Sequence, residues 1–288
     1  MEKIMRRVKY LNNRDLLKQI HKSKVSFSSF TDDEYAQFDI ILPSLEKVNR
    51  LTVAEAKRNR ASRIGKQAYE DAREAGDKKT KLADVTPDWR KIEKTDLVFR
   101  IMTFDHIPKD STRKRKTKTI ADEHTKVNFP PFQHWKYDEN DNLICVGKSH
   151  WQGGMQNGSF NKTHGRITEE LGRMFLKLAD RYGTRSNWRG YTYNDEMRAQ
   201  AVLQLSQIGL QFDESKSLNP FAYYTAAVTN SFTRVLNIEK KNQNIRDDIL
   251  QENGLNPSFT RQNEEVFKED KEKLAEFYKN MRRPKADY

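Results

Sequence analysis

The chain has 288 residues, of which 53 are lysine or arginine and 41 are aspartate or glutamate, so its formal net charge is +12. This excess of positive charge favours a polyanionic partner, most often nucleic acid. The longest apolar run is about four residues, against the roughly 20 that a membrane helix requires. The single cysteine, Cys145, excludes an internal disulfide and a multi-cysteine zinc site. We therefore expect a soluble protein of a reducing compartment, with no membrane partner.

Residues 1–84 are predicted to form an N-terminal helical segment. Asn12 or Asn13 is placed to cap a first helix, and Ser44 to cap a second, long helix that continues to Gly76. One face of this second helix is basic, and its residues are Lys57, Arg58, Arg60, Arg63 and Lys66. This face suits contact with phosphates, and a merely solvated face fits the pattern at least as well.

Residues 85–165 are predicted to form an insert with a small β-sheet. The β-branched and aromatic content of 97–104 is typical of a strand. Two further apolar stretches, 132–137 and 143–146, flank the sequence DENDN, whose Asp and Asn residues favour a turn, so a hairpin is expected. The run RKRKTK at 113–118 has five basic residues in six and predicts a loop that lies on nucleic acid or stays disordered.

Residues 166–255 are predicted to form a helical domain with three helices. Thr168 caps the first, and the second spans about 194–211. The third begins at Pro220, because proline suits the first helical position and Asn219 supplies the cap.

The third helix, expected to end near Lys241, carries two different faces. One stripe at three- and four-residue spacing predicts a core, and consists of Phe221, Tyr224, Val228, Phe232 and Val235. The predicted DNA contacts are Tyr223, Tyr224, Ala226, Ala227, Asn230, Thr233, Arg234, Asn237, Lys240 and Lys241. Asn side chains read adenine, Arg side chains read guanine or bind phosphate, and a Tyr ring stacks on an unpaired base. An ordinary amphipathic helix shows the same stripe, so spacing alone leaves both interpretations open.

A longer sequence block separates these two interpretations. The ungapped stretch 196–241 contains GLQFDE at 209–214, followed by Asn219-Pro220 and Ala222-Tyr223. This block resembles region 2 of the sigma-70 family of RNA polymerase sigma factors. It is similar, more closely still, to the late-promoter sigma factors of T-even-type phages. The opening stretch from Tyr10 to Leu17 also resembles the start of those phage factors, whereas 85–165 has no counterpart in their compact form.

The resemblance implies roles for particular residues. In the family, the helix corresponding to 194–211 docks on the clamp helices of the largest RNA polymerase subunit. The resemblance therefore implies that five residues bind the RNA polymerase core: Glu196, Arg198, Gln200, Leu203 and Gln207. On the third helix, the resemblance implies that Tyr223 holds a flipped base, that Asn230 and Thr233 read the upstream edge of the −10 element, and that Arg234 contacts the backbone.

One departure from the primary sigma family concerns strand opening. Two adjacent tryptophans wedge the DNA apart in that family, and here Ala226 and Ala227 occupy their places, as in the phage late group. This departure puts wedge-type melting by the third helix in doubt.

The resemblance implies a mainly α fold: a sigma region-2-like helical domain with a small β-containing insert. The expected function is a sigma factor that binds host RNA polymerase core and directs initiation at AT-rich phage late promoters, in the host cell cytoplasm. No bond is made or broken in this role, so neither an enzyme nor a cofactor is expected. In the charged tail, 256–288, the residues Leu274, Phe277 and Tyr278 are the nearest equivalent of the motif by which the phage group binds the DNA sliding clamp. A helix packed on the domain is the alternative for that tail, and a late co-activator is a further expected partner.

Two other functions are weighed against the sigma factor. A metal-dependent nuclease would use basic charge and scattered acids, and a polymerase-binding adaptor or anti-sigma would bind core without reading DNA. The residues His134, Cys145, His150 and His164 match no known zinc spacing, so no metal site is expected. Cys145 is interpreted as a small core residue.

Overall fold

The computed structural model describes residues 11–77, 79–110 and 119–281. The predictions for Tyr10 and for the basic run at 113–118 lie outside the described residues. In the described part the fold is 55% helix and 12% strand, which confirms the mainly α class with a small sheet. The helices are α1 (Asn13–Ser26), α2 (Arg50–Glu74), α3 (Leu82–Val85), α4 (Ile120–Glu123), α5 (Glu169–Gly183), α6 (Asn194–Ile208), α7 (Pro220–Glu252) and α8 (Phe259–Met281).

Side-chain caps fix the starts of several helices. The Asn12 side chain accepts a hydrogen bond from the backbone of Asp15 and caps α1. The prediction that Ser44 caps the long second helix is wrong, because α2 begins after Asn49. There, Asn49 and Thr52 form a capping box in which each side chain satisfies a backbone N–H of the other. Ser44 instead precedes a single 3₁₀ turn and makes no side-chain cap bond.

The main sheet has five strands in the order β1-β5-β4-β3-β2. Its strands are β1 (Ser28–Phe30), β2 (Ile40–Leu42), β3 (Val98–Met102), β4 (Phe132–Tyr137) and β5 (Leu143–Ser149), and a separate pair is formed by β6 (Trp151–Gln152) and β7 (Ser159–Phe160). The predicted β4–β5 hairpin is confirmed, and β2 pairs with β3 in parallel. The expectation of a purely helical segment before residue 85 is wrong for β1 and β2. Each has only three residues, too few for an alternating pattern to be visible in the sequence.

The helical core is formed by α1, α5, α6 and α7. Its fully or almost fully buried side chains include Leu16, Ile20, Leu171, Phe175, Met197, Ala201, Leu205, Tyr224, Val228 and Phe232. Thr168 caps α5 as predicted, through a bond from the backbone of Leu171. Gly209 lies so close to α5 that a Cβ atom there would be 2.5 Å from the ring of Phe175. The turn that follows α6 therefore packs tightly against α5.

The basic face of α2 is partly used inside the protein. Arg63 pairs with the buried carboxylate of Asp39 at 2.6 Å, and Arg60 lies 3.5 Å from the same group. The guanidinium of Arg58 lies 4.9 Å from the centre of the Trp89 ring. Arg58, Arg60 and Arg63 are therefore engaged with other groups of the protein. This differs from both sequence interpretations, which had the face either solvated or free to contact phosphates.

A buried ion cluster connects the sheet to the helical core. Arg100 on β3 is 1% exposed and donates to the Glu214 carboxylate at 2.8 Å and to His134 Nε2 at 3.0 Å. Lys24 of α1 lies 3.5 Å from the other Glu214 oxygen and donates to the Phe212 carbonyl at 2.8 Å. Glu214 and Phe212 both lie in the turn between α6 and α7, so β3 and α1 together hold that turn.

The charges of this cluster depend on one another. Burial alone would raise the pKa of Glu214, but Lys24 and Arg100 hold it below its ordinary value. Burial lowers the pKa of Arg100 to about 10, and Glu214 opposes that shift. Burial also lowers the pKa of Lys24, and Glu214 opposes that shift. The charged forms of Arg100 and Lys24 therefore both depend on the Glu214 carboxylate. Removing one charge leaves the others buried without compensation.

Neutralising Glu214 is expected to destabilise the fold strongly. We expect Glu214→Gln to lower the free energy of unfolding by about 3 kcal/mol, because Arg100 and Lys24 then lack a buried counter-charge. Asp141→Asn is the matched control, since it removes the same charge from the exposed Lys94–Asp141 pair and should cost under about 1 kcal/mol. Urea unfolding of both variants measures the difference, and equal effects would show that the cluster does not hold the fold together.

Candidate nucleic-acid interface

Helices α6 and α7 lie side by side and leave an open groove of about 440 Å³ between them, here called the α6–α7 groove. Its lining residues are Glu196, Gln200, Gln204 and Ile208 from α6, and Tyr223, Ala226, Ala227, Asn230, Ser231, Arg234, Val235 and Ile238 from α7. The groove thus brings five of the predicted DNA contacts together with two of the predicted core-binding residues. Within the described part of the chain, this side of α7 faces the open groove.

The start of α7 is fixed by three neighbouring groups. The Asn219 side chain accepts from the backbone of Ala222, Pro220 occupies the first helical position as predicted, and the Asn13 side chain accepts from the backbone of Phe221. The helix runs to Glu252, well beyond the predicted end near residue 241. Phe221, predicted to belong to the core stripe, is 37% exposed because it lies in the first turn, at the rim of the core.

Tyr224 is a core residue, and its prediction as a DNA contact is wrong. Its side chain is 0% exposed, and its hydroxyl donates to the Gly209 carbonyl at 2.6 Å. Burial raises the pKa of the phenol well above its ordinary value. The ring packs edge-on against Phe175, with 5.0 Å between ring centres. Tyr224 therefore ties α7 to the turn after α6 and offers no surface to a base.

Tyr223, the adjacent residue, lies at the end of the groove. It is half-buried, and its ring is edge-on to Phe212 with 5.6 Å between ring centres. Its hydroxyl lies 3.5 Å from the Ile208 carbonyl, and burial raises the pKa of the phenol. The ring is thus neutral and held in place by its neighbours. A ring held in this way at the end of the groove is suited to stacking with an unpaired base.

Small and amide side chains line the α7 wall of the groove beyond Tyr223. Ala226 is exposed and Ala227 is half-buried, so this stretch of wall has no bulky side chain. Asn230 is exposed and also lines a second, shallower recess further along α7. The other residues of that recess are Thr233, Arg234, Asn237, Ile238 and Lys241. Polar groups suited to bases and phosphates therefore continue along one side of α7.

The exposed charges on this side of α7 are mainly positive. Arg234, Lys240 and Lys241 are exposed. Across the groove, Glu196 supplies an acidic group on α6. A polyanion is therefore attracted to α7 and repelled from the acidic end of α6, which gives it a preferred path along α7.

A stripe of predicted core-binding residues lies on the exposed side of α6. Glu196, Gln200, Leu203 and Gln207 follow one another at four-, three- and four-residue spacing, and all four are exposed. Leu203, at the centre of this stripe, is 51% exposed. An exposed leucine flanked by polar groups is suited to contact with another protein.

Arg198 does not belong to that stripe, so its prediction as part of the same surface is wrong. It lies over Gly183, where an added Cβ would approach its Nε atom to 2.6 Å, and it pairs with Asp195 at 3.4 Å. Because it follows Glu196 by only two residues, it projects from the other side of the helix. Its role is to pack α6 against the end of α5.

The predicted sliding-clamp residues lie on α8. Leu274, Phe277 and Tyr278 are between 56% and 59% exposed, so this helix is not packed on the domain through them. Its start is fastened to α7 by the Ser258 hydroxyl and backbone N–H, which both donate to Asp247. Contact with a sliding clamp stays a prediction.

The side chains weighed as metal ligands have other roles. His134 accepts from Arg100 through Nε2, and its Nδ1 lies 2.5 Å from the Tyr35 carbonyl. His150 is fully buried and tilted against Phe129, with 4.1 Å between ring centres. Across the described ranges, no three His, Cys, Asp or Glu side chains are arranged to hold a metal ion. Cys145 is half-buried in β5 rather than fully in the core, and burial raises its pKa.

Five groove residues were not predicted as contacts from the sequence: Gln204, Ile208, Ser231, Val235 and Ile238. A usable signal was present, because Gln204 and Ile208 continue the four-residue spacing that starts with Glu196 and Gln200.

A comparison of the chain with protein-family models, with curated proteins and with solved structures found no match. Among the described residues, no helix has both the length and the apolar character needed to cross a lipid bilayer.

Proposed function

We propose that the chain is a sigma-type factor that attaches to RNA polymerase core through α6 and holds a separated promoter strand along α7. The observation that carries the proposal is the open α6–α7 groove, which lies between the exposed α6 stripe and the cationic side of α7. The sequence resemblance to sigma region 2 supports it, since the two helices in question are the ones that the resemblance covers.

The chemistry of α7 suits a single strand better than a closed duplex. A single strand needs a ring for stacking, small residues where the strand approaches closely, and cations for its phosphates. Tyr223, Ala226 with Ala227, and Arg234 supply these in order along α7. Since alanines replace the tryptophan wedge, α7 holds strands that are already open and does not force them apart.

The proposed partners follow from the same resemblance. They are the clamp helices of a host RNA polymerase core and AT-rich phage late promoters, met in the host cell cytoplasm. A sliding clamp is the proposed partner of Leu274, Phe277 and Tyr278, and a late co-activator completes the complex. The proposed affinity for DNA is largely electrostatic, so it falls steeply as salt rises.

Run-off transcription with purified core on an AT-rich late-type template tests the proposal. Specific transcripts are expected only when the chain is present, with a footprint on the −10-type element that requires core. Core binding without a footprint would identify an adaptor or anti-sigma instead. DNA cleavage by the pure protein that depends on a divalent metal would identify a nuclease.

The α7 contacts are tested by Asn230→Ala combined with Arg234→Ala. We expect promoter-specific initiation to fall at least about tenfold, since a base contact and a phosphate contact are both lost, while core binding survives. Asn244→Ala with Arg246→Ala is the matched control, because it removes the same two residue types from exposed positions further along α7. Unchanged initiation in the first variant would show that this side of α7 does not contact promoter DNA.

The α6 stripe is tested by Glu196→Lys combined with Leu203→Asp. Both residues are exposed, so the fold should be kept, whereas Leu205 is fully buried and unsuitable for such a test. We expect core binding to weaken about tenfold or more, because a charge is reversed and an apolar contact is lost. The matched control on α5 is Glu170→Lys with Leu176→Asp, and Leu176 is 52% exposed. Equal binding by the two variants would contradict the assignment of the α6 stripe to core.

A further inference from the structure

A second recess, here called the α1 pocket, lies away from the α6–α7 groove and shares no lining residue with it. It has a volume of about 530 Å³ and lies between α1, the segment 33–41 and the stretch that leads into α7. Its apolar lining residues are Leu17, Val25, Ala36, Phe38, Ile41 and Leu218. Its size lies within the roughly 300–1,000 Å³ that small-molecule sites occupy, and such sites are mostly apolar with a few polar groups.

The polar groups that line the α1 pocket are held rigidly. His21 is edge-on to Phe38, with 5.4 Å between ring centres, and its Nδ1 lies 3.2 Å from an Arg100 nitrogen. Burial first, and Arg100 next, lower the pKa of His21 to about 3, so this ring is neutral. Glu214 is compensated by the buried ion cluster, and Arg63 by Asp39. The charged side chains of the inner wall are therefore already paired with opposite charges inside the protein.

The charge at the mouth of the α1 pocket is positive. Lys18 and Lys22 lie four residues apart on α1, and both are exposed at the rim. Asp33, from the segment 33–41, is the exposed acidic residue of the lining. The rim therefore carries two positive charges and one negative charge, while the charges of the inner wall are already paired. Its net positive charge attracts a negatively charged group.

We propose that the α1 pocket binds one free amphiphilic anion, with an alkyl or aromatic body against the apolar wall and a carboxylate or sulfonate head between Lys18 and Lys22. The alkyl or aromatic body is stabilised because it is removed from water against the apolar wall. The anionic head is stabilised by charge-assisted hydrogen bonds from the two lysines. This proposal is independent of the sigma-type function. A bound molecule bridges α1 to Glu214 and Leu218, and so contacts the segment that leads into α7.

The test uses the full chain and two probes. Anilinonaphthalene sulfonate, whose fluorescence rises in apolar surroundings, is titrated first, and decanoate below its micelle concentration is then used to displace it. We expect one dye site per chain, displacement by decanoate and much weaker displacement by decanol, which has the same body without the charge. Equal displacement by decanol would overturn the assignment of an anion. Binding of anionic phosphatidylglycerol vesicles without binding of free decanoate would overturn the assignment of a free molecule.

Three variants locate the dye. Ala36→Trp fills the α1 pocket and should weaken dye binding about tenfold, and Lys18→Gln with Lys22→Gln should weaken it about fivefold and reduce its salt dependence. Lys268→Gln with Lys271→Gln, at exposed positions of α8, is the matched control and should change nothing. The lysine variants are at exposed positions, so they remain informative if Ala36→Trp fails to fold. Dye binding that is unchanged by the α1 substitutions, or that is lost in the α8 control, would overturn the proposal.

Discussion

The buried ion cluster of Arg100, Glu214 and Lys24 is the constraint on which the arrangement of the helices depends. Arg100 belongs to the sheet, Lys24 to α1, and Glu214 to the turn between α6 and α7, so a single carboxylate is shared by three parts of the chain. Buried charges are costly unless they are paired and hydrogen-bonded. Each charge of the cluster has an oppositely charged neighbour and at least one hydrogen bond. The turn is therefore held in one position. Because this turn joins α6 to α7, the cluster ties the connection between the two helices to the sheet and to α1.

The cluster gives the β-containing insert a structural role. Strand β3 of the segment 85–165 supplies the arginine that holds the turn before α7. The ring centres of Phe38 and Phe132 lie 3.8 and 3.9 Å from the guanidinium carbon, so two aromatic rings pack against the buried arginine. The sheet thus supports the helical domain, and the surface proposed to hold DNA depends on residues that are distant in sequence.

Local features were predictable from the sequence, and contacts between distant residues were not. The caps at Asn12, Thr168 and Asn219 and the β4–β5 hairpin follow from a few neighbouring residues, and all were predicted. The Arg100–Glu214 pair joins residues 114 positions apart, and neither residue shows in its local sequence that it has a partner. On α7, helical spacing correctly assigned Tyr224 to the core but placed the more exposed Phe221 there too, and the prediction that Tyr224 contacts DNA is wrong. The open groove depends on how α6 and α7 pack, which spacing alone does not give.

The central claim, that the open side of α7 lies on promoter DNA in the polymerase complex, is tested most directly by photo-crosslinking. A photoreactive amino acid at Asn237, which is exposed in the recess on α7, is compared with one at Leu176 on α5, which is also exposed. The complex contains RNA polymerase core and an AT-rich template in which the −10-type element is labelled. We expect crosslinks to that element from position 237 and none from position 176. Crosslinks of equal yield from both positions, or none from position 237 in an actively transcribing complex, would contradict it.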